Sequence, residues 1–457
     1  MLVGSRICPA GWRNVNGRCP RARCKESQAD SLLNPRSAAH RILSEVRRGE
    51  FADESAEAIL PEVAQKDRGL ALEIGYGCVR LRTRLDTWIQ AFSDRPIRRI
   101  DADMLDWLRI GAYQLRELRT PDHASVNETV QAAREVMDRR RVAYINAVLR
   151  ALASNTNTDP FPSHDTNPVA YLTTWGSHPE WLVRRWLDRW SFHDVSRLVE
   201  HGNGAPEVVL RMLSDDPKCI PEGVELRRLP DWPRSFAIVE GSPSTALGEL
   251  RGVIQDPAAS SVVDYIGTCM PKPVLDVCAA PGTKAIGLAA TVSAPVVALD
   301  VSPKRLRQVG RSAERTHLPI ALVAADARCL PIASAGTIIA DVPCTGTGVL
   351  RRRVDSRWRL DEGRLKKLLV LQRDILESCS SIVKVGGVLV YSTCSLEPEE
   401  NEDQVEAFLE RHREFRREPP SETVVSETCL SSAGDLFVRP WITGTDGSYA
   451  ARMRRTA

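Results

Sequence analysis

Residues 273–292, PVLDVCAAPGTKAIGLAATV, combine a short apolar segment, a tight turn and the start of a helix-forming segment. The apolar residues Val274 and Leu275 end at Asp276, and Pro281 and Gly282 come just before a run rich in alanine and leucine. A short strand that leads through a polar loop into a helix is typical of a parallel sheet covered by helices. This stretch therefore predicts the first strand of an α/β domain.

The same alternation continues towards the C-terminus. Further strands are predicted at PVVALDV, IALVAAD, TIIADV and GGVLVYS, and the segment SPKRLRQVGRSAERT between the first two has helical spacing. Residues 261–457 are therefore predicted to form an α/β domain with a parallel, doubly wound sheet.

The N-terminal half of the chain has a different pattern. In residues 37–153, segments such as SAAHRILSEV and DMLDWLRIGAYQLREL place apolar residues at helical spacing, which predicts a helical bundle in which Gly111 allows a close helix crossing. Residues 154–168 are rich in Pro, Ser, Asn and Asp and predict a linker. Residues 169–260 predict a small intermediate domain of helices and Pro-broken strands, and residues 1–36 predict a basic, disordered leader.

Composition restricts the class of protein only in part. The formal net charge of the 457 residues is +3, which neither favours nor excludes a nucleic-acid partner. No apolar run approaches the roughly 18–20 residues of a membrane helix, and the N-terminus lacks the apolar stretch of a secretion signal. The twelve cysteines show no disulfide-like framework, and the clustered Cys8, Cys19 and Cys24 lack a C-x-x-C pair. We therefore expect a cytoplasmic protein with no membrane contact and no metal site.

Four aspartates follow the ends of predicted strands, at positions 276, 300, 326 and 341. In doubly wound sheets the ligand binds outside the carboxyl ends of the strands, and a carboxylate after the second strand suits a ribose diol. The loop at Cys278–Lys284 matches neither a dinucleotide-binding glycine motif nor a phosphate-binding loop. These features predict a nucleoside cofactor.

Two cysteines lie in polar turns after apolar runs, Cys344 in ADVPCTGTGVL and Cys394 in YSTCSL. A thiolate in such a turn is a candidate nucleophile for covalent catalysis. The residue types alone do not choose between the two.

The segment RRRVDSRWR, residues 351–359, holds five arginines and one aspartate directly after the Cys344 turn. Arginine next to a tryptophan predicts phosphate contacts and base stacking. The candidate RNA-binding residues are Arg351, Arg352, Arg353, Arg357 and Trp358, and DRRR at 138–141 is a second candidate.

Several of these motifs occur together in one known family. VLDVCAAPGTKAIGLAA, ALDVSPKRL, ADAR, ADVPCTGTGVLRRRVDSRW and LVYSTCSLEPEENEDQVEAF resemble the RsmB/Sun-type RNA cytosine-5 methyltransferases. GCVR, GAYQL, SVNETVQAA and YINAVLR are similar to the NusB-like RNA-binding domain of that family. The resemblance covers residues 37–457 and implies a Rossmann-like class I methyltransferase domain with an all-α NusB-like domain and a small intermediate domain.

The resemblance implies S-adenosylmethionine as cofactor and an unpaired cytosine of small-subunit ribosomal RNA as substrate, for a monomeric enzyme. It assigns the role of nucleophile to Cys394 and release of the methylated product to Cys344. Asp341, close to Cys344 at a strand end, is expected to hydrogen-bond the cytosine ring. The cofactor-binding residues carried over are Cys278, Ala279, Ala280, Pro281, Gly282, Thr283, Lys284, Asp300, Asp326 and Asp341, of which Asp300 holds the ribose and Asp326 lies near the adenine.

One residue departs from the family pattern. The family loop reads PGGKT, whereas this chain has PGTKA, with Thr283 in place of a glycine. A β-branched residue rarely adopts a positive φ, so either this position is not left-handed or the loop is shifted.

Three other functions stay open at this point. They are the same chemistry on transfer RNA or another RNA, a non-catalytic RNA-binding or ribosome-assembly factor, and a methyltransferase for small molecules. The pair Cys344 and Cys394 with the four aspartates counts against the second. The bundle and the arginine run have no use in the third.

Overall fold

The computed structural model describes residues 32–118, 121–214, 217, 219–292, 294–420 and 425–457. Most of the predicted leader, residues 1–31 with Cys8, Cys19 and Cys24, lies outside these ranges. No helix in the described ranges is both long and apolar enough to cross a membrane.

The N-terminal region is a bundle of α-helices. Its helices are α1 (Pro35–Arg48), α2 (Ala52–Ile59), α3 (Arg68–Arg80), α4 (Arg82–Phe92), α5 (Ala102–Arg116), α6 (Asp122–Arg134) and α7 (Arg139–Ser154). The Asn34 side chain caps the start of α1, and Gly49, with a φ of 111°, ends it. A Cβ on Gly111 would lie 2.3 Å from the side chain of Leu149, so α5 and α7 approach closely because this residue is glycine, as predicted.

The intermediate region combines helices with a small antiparallel sheet. Its elements are α8 (Pro168–Thr174), α9 (Glu180–Arg189), α10 (Phe192–Asn203), β1 (Val209–Met212), β2 (Glu225–Arg228), β3 (Ser235–Glu240), α11 (Pro243–Glu249) and β4 (Gly252–Ile254). The strand order is β2-β3-β1-β4.

The C-terminal region is built on one large sheet covered by helices. Its elements are α12 (Pro257–Ile266), β5 (Val274–Asp276), α13 (Thr283–Thr291), β6 (Val296–Asp300), α14 (Pro303–Thr316), β7 (Ile320–Ala324), β8 (Ala335–Asp341), α15 (Ser356–Arg359), α16 (Glu362–Ile382), β9 (Val383–Thr393), α17 (Glu402–Arg411), β10 (Phe415–Arg417), β11 (Leu436–Val438), α18 (Pro440–Thr443) and β12 (Ser448–Arg455). Helix α12 packs on this sheet through Val262 and Tyr265, so the domain boundary predicted after residue 260 falls inside that helix.

The sheet is mixed, whereas the sequence predicted a parallel one. Strands β7, β6, β5, β8 and β9 are parallel in that spatial order, but β12 pairs antiparallel with β9, and β10 and β11 pair antiparallel with β12. The C-terminal segment returns antiparallel to β9, so β12 lies inside the sheet between β9 and the short strands β10 and β11. Doubly wound sheets commonly carry antiparallel strands at one side.

The strand order places the ligand crevice. Strand β5 lies between β6 and β8, so the direction in which the chain adds strands reverses there. The carboxyl ends of β5, β6 and β8, with Asp276, Asp300 and Asp341, therefore open on the same crevice.

The side chain of Arg357, from α15, is fully buried where the three regions meet. It donates hydrogen bonds of 2.7–3.3 Å to oxygens from all three, namely the carbonyls of Arg80, Ser177, Gly202 and Leu350 and the side-chain oxygen of Asn203. Burial, together with the nearby charges of Arg80 and Arg84, lowers the pKa of Arg357 to about 9. The prediction that Arg357 contacts RNA is wrong, because its side chain is fully buried and both terminal nitrogens of the guanidinium bind protein oxygens.

Trp358 also contacts the bundle. Its indole N–H donates to the carbonyl of Val79 at 2.7 Å, and the Arg82 guanidinium lies 5.4 Å from the ring centroid. The partly buried ring packs against the bundle core, and its stacking on an RNA base stays a prediction.

We expect Arg357→Met to lower the free energy of unfolding by about 3 kcal/mol, because several buried oxygens would lose their donor at once. The midpoint of urea unfolding, followed by tryptophan fluorescence, measures this. Arg353→Met is the matched control, since Arg353 is exposed in the same segment. It should shift the free energy by less than about 0.5 kcal/mol. Equal midpoints for the two variants would contradict a structural role for Arg357.

Candidate active site

The turn between β5 and α13 forms one wall of the crevice. Gly282 adopts the left-handed conformation, with a φ of 110°, and Thr283 is the first residue of α13. The hydroxyl of Thr283 accepts a hydrogen bond of 3.2 Å from the Gln255 side chain. Thr283 therefore has no positive φ. Of the two alternatives for this loop, the first applies: position 283 is not left-handed.

Asp300 and Asp326 occupy different surroundings. Asp300 is buried at the end of β6 and accepts hydrogen bonds from the backbone N–H groups of Ala280, at 3.2 Å, and Ser302, at 2.9 Å. Asp326 lies two residues beyond β7 and is bound to Arg328 at 2.6 Å, which lowers the pKa of Asp326. Asp300 therefore belongs to the turn of the crevice, whereas Asp326 lies at the edge strand.

Asp276, at the end of β5, is completely buried. Among the described residues neither of its carboxylate oxygens makes a hydrogen bond of normal geometry, although the Cys278 amide lies near. Burial, aided by the negative charge of Asp341, raises the pKa of Asp276 to about 7. Two buried oxygens without regular partners leave acceptors available for a ligand.

Lys284 and Asp341 join α13 to the end of β8. The Lys284 Nζ lies 2.8 Å from Asp341 Oδ2, and the Ser392 hydroxyl donates to Asp341 Oδ1 at 2.8 Å. Burial alone would lower the pKa of Lys284, but the Asp341 carboxylate outweighs it, so the pKa is raised. Lys284 therefore stays charged in the crevice.

The two candidate cysteines are adjacent. Their sulfur atoms lie 3.3 Å apart, and the backbone N–H of Cys394 points to the sulfur of Cys344 at 3.4 Å. The hydrogen bond with Cys344, in which either sulfur can be the donor, lowers the pKa of Cys394 against the effect of burial, and the nearby Arg353 charge lowers it further. The same hydrogen bond, together with burial, raises the pKa of Cys344.

The arginine run beside these cysteines is largely paired inside the protein. Arg351 and Arg352 both bind Asp256 and Asp446, at distances of 2.5–2.8 Å. Two carboxylates thus balance the charges of Arg351 and Arg352 inside the protein, and phosphate binding by these two residues stays a prediction. Of the five candidate RNA-binding residues, Arg353 is the one with an exposed side chain.

Comparison with known proteins identifies the family. Residues 270–454 match the family model described as 16S rRNA methyltransferase RsmB/F, and residues 33–154 match that of the NusB family. The chain is 31% identical over 444 residues to ribosomal RNA small subunit methyltransferase B of Yersinia pestis, covering 93% of this chain and 99% of the relative. It is 30% identical to the protein of the same description from Pseudomonas putida, covering 83% and 89%.

The chain belongs to the ribosomal RNA small subunit methyltransferase B family. The crystal structure of PH0851 superposes with a TM-score of 0.71 at 21% identity, over 92% of this chain and 98% of that one. That of NSun6 from Pyrococcus horikoshii with SFG gives 0.51 at 19% identity, over 61% and 98%. At these identities the structures show the fold, a Rossmann-like methyltransferase domain preceded here by an all-helical NusB domain.

In this family member the segment after Cys394 is held by the intermediate region. From α9, Arg185 and Trp186 donate to the buried carboxylate of Glu397, at 2.9 and 3.2 Å, and Arg189 donates to the Leu396 carbonyl at 2.5 Å. Sequence reasoning missed these residues. The signal available was the acidic run LEPEEN directly after the cysteine, whose basic partners lie more than 200 positions away.

We expect Asp276→Asn to stabilise the protein relative to the wild type as pH rises. The raised pKa of Asp276 means that the folded state binds a proton which the unfolded state releases near pH 4, so the wild type loses stability between about pH 4 and pH 7. Asparagine abolishes this loss. The difference in unfolding free energy should be small near pH 4 and reach roughly 2–4 kcal/mol by about pH 8.

Urea midpoints of both proteins across this pH range test the expectation. Asp326→Asn is the control with the opposite sign, because its lowered pKa stabilises the wild type above the unfolded pKa of the carboxyl. A constant difference for Asp276→Asn at all pH values would contradict a buried, high-pKa carboxyl.

Proposed function

We propose that the chain transfers a methyl group from S-adenosylmethionine to carbon 5 of a cytosine in small-subunit ribosomal RNA, through a covalent bond between Cys394 and carbon 6. The observation that carries the proposal is the pair of sulfurs 3.3 Å apart beside the ion pair of Lys284 and Asp341. The ribosomal substrate comes from the names of the relatives.

The chemistry requires a thiolate. Carbon 5 of cytosine is a poor nucleophile, and addition of a thiolate to carbon 6 makes the ring enamine-like and loads electron density on carbon 5. After methyl transfer, a base takes the proton from carbon 5, and the electron pair of that bond re-forms the double bond between carbons 5 and 6 and expels the cysteine as a thiolate. Covalent catalysis of this kind divides one difficult step into easier ones.

The environment of the cysteines supports Cys394 as the nucleophile. The two sulfurs share one hydrogen bond, which we assign with Cys344 as donor because Arg353 and Lys284 place positive charge near the sulfur of Cys394. Both effects lower the pKa of Cys394 and favour the attacking form. Cys344 carries the proton in this arrangement, and we assign it to release of the methylated product.

Asp341 is proposed to bind the cytosine ring edge. Its carboxylate is a quarter exposed, and Lys284 and Ser392 fix both of its oxygens in the crevice. A carboxylate fixed in this way holds the ring in one orientation over the thiolate. Lys284 supplies a charged donor beside it as electrons move into the ring.

The crevice residues fit the proposed cofactor. The buried oxygens of Asp276 offer acceptors without regular partners, and Asp300 lies at the ribose position of the second strand. Because residue 282 is glycine, the turn can lie close to Val309 of α14, where a Cβ would come within 3.0 Å of the Val309 side chain. When bound, S-adenosylmethionine supplies an electrophilic methyl group. Asp326 is proposed for the adenine end, beside the edge strand β7.

We expect Cys394→Ala to abolish methyl transfer and to form no covalent RNA complex, because the attacking sulfur is gone. Cys344→Ala should instead trap the RNA on Cys394, because release is blocked. A denaturing gel of each variant with RNA and cofactor distinguishes them. A covalent band from Cys394→Ala would reverse the two assignments.

The substrate assignment is tested by bisulfite sequencing of small-subunit ribosomal RNA from cells with and without the gene. We expect one methylated cytosine to be lost in the deletion and restored by the wild-type gene, but not by Cys394→Ala. An unchanged methylation pattern in ribosomal RNA, with a change in transfer RNA, would move the substrate to the latter.

A further inference from the structure

A buried carboxylate connects the two cysteine turns. Glu400 is completely buried, and its Oε1 accepts hydrogen bonds from the Thr345 backbone N–H and from the Gln372 side chain, both at 2.9 Å. Its Oε2 accepts from the Thr345 hydroxyl. All three of these groups donate a hydrogen bond to the carboxylate, and donors of this kind favour its ionised form.

The same carboxylate reaches both turns. Thr345 directly follows Cys344, and its hydroxyl lies 3.0 Å from that of Ser395, which directly follows Cys394. Glu400 is therefore part of the frame that sets the relative position of the two sulfurs.

The charges around the two sulfurs differ. Cys394 faces the cations Lys284 and Arg353 and the anion Asp341. Cys344 faces the Glu400 carboxylate and Cys394 itself. The neutral phenol of Tyr391 completes the surroundings, and its hydroxyl donates to the Glu400 carbonyl at 2.6 Å.

We propose that Glu400 is a positioning residue whose carboxylate keeps the proton shared by the two thiols on Cys344 and so leaves the thiolate on Cys394. The proposal rests on the proposed function, in which Cys394 attacks the base. No feature of the sequence motifs assigns this role to Glu400.

The proton balance explains the effect. When the pair of thiols releases one proton to water, the remaining proton can reside on either sulfur, and the negative charge resides on the other. A carboxylate held against the Cys344 turn disfavours a second negative charge there. The proton stays on Cys344, which then donates it in the hydrogen bond to Cys394. Burial raises the pKa of Glu400 itself, and the donors from Thr345 and Gln372 oppose that shift.

The test measures which sulfur is the thiolate. The full-length wild-type protein, without RNA or cofactor, is alkylated with iodoacetamide between about pH 5 and pH 9, and both cysteine peptides are quantified by mass spectrometry. We expect Cys394 to be labelled at lower pH than Cys344. Labelling of Cys344 first would overturn the proposal without any variant being made.

Glu400→Gln removes the charge and retains the geometry. The glutamine oxygen can accept from the Thr345 N–H and Gln372, and its amide nitrogen can donate to the Thr345 hydroxyl. We expect the ratio of Cys394 to Cys344 labelling at neutral pH to fall about tenfold. We expect the acidic limb of the methyl-transfer profile to move to lower pH, because loss of a nearby negative charge lets the pair of thiols release its proton more easily.

Glu399→Gln is the matched control. Glu399 is the neighbouring residue, but its carboxylate binds Arg185 at 2.7 Å on the side of the intermediate region. This variant should leave the labelling ratio unchanged. Thr345→Val is the second variant, since it removes one hydrogen bond to Glu400 and keeps the carboxylate, and we expect a smaller fall in the ratio than with Glu400→Gln.

The outcomes separate the two proposals. A Glu400→Gln protein with a wild-type melting temperature and an unchanged labelling ratio overturns the role of Glu400, even if Cys344→Ala still traps RNA. Conversely, failure of Cys344→Ala to trap RNA overturns the covalent mechanism, while the labelling ratio still reports on Glu400.

Discussion

The arrangement of the three regions depends on one guanidinium that is buried without a carboxylate partner among the described residues. Removing a charge from water costs several kcal/mol unless the surrounding protein replaces the lost hydrogen bonds. Arg357 obtains that replacement from oxygens of the bundle, the intermediate region and the turn after Leu350 at the same time. If one region moves away, part of the charge loses its partners. The buried arginine therefore favours the orientation of the NusB domain relative to the large sheet that is seen here.

The same stretch of chain connects this junction to the cysteines. Parallel pairing of Asp341 with Ser392 sets the register of β8 and β9, so the turns that follow bring Cys344 and Cys394 together. Six residues beyond the Cys344 sulfur the chain reaches Leu350, whose carbonyl accepts from Arg357. Displacing the bundle would therefore pull on the turn that holds one of the two sulfurs. The N-terminal domain and the turn that holds Cys344 are thus linked through Arg357.

Local patterns in the sequence were sufficient for some of these features. The strand ends with aspartates and the two cysteine turns could be predicted from the sequence, because each is defined by residues that lie within a few positions of one another. The pairing of the arginine run was not predicted because its partners are distant in the sequence: Asp256 and Asp446 lie 95 residues from Arg351 on either side. A run of like charges looks solvated until the fold brings two carboxylates to it. The antiparallel direction of β12 was not predicted for a related reason, since strand direction depends on pairing and not on hydrophobic spacing.

Thr283 shows how a single backbone angle changes the meaning of a substitution. In the sequence, threonine at a position that is glycine in the family pattern suggests strain, because a β-branched residue disfavours a positive φ. The structure assigns the left-handed conformation to Gly282 and starts the helix at Thr283, where threonine is tolerated and its hydroxyl binds Gln255. Residue type alone could not distinguish these cases.

The two cysteines illustrate the same limit at the level of chemistry. They are identical groups 3.3 Å apart, so only their surroundings can make one a nucleophile and the other a proton carrier. Those surroundings come from separate segments of the chain, with cations at Lys284 and Arg353 on one side and Glu400 on the other. The family resemblance and the electrostatics are independent arguments, and both favour attack by Cys394. Because the proposed asymmetry arises from charges beyond the two cysteine turns, a protein with both turns intact would lose it if those charges were changed.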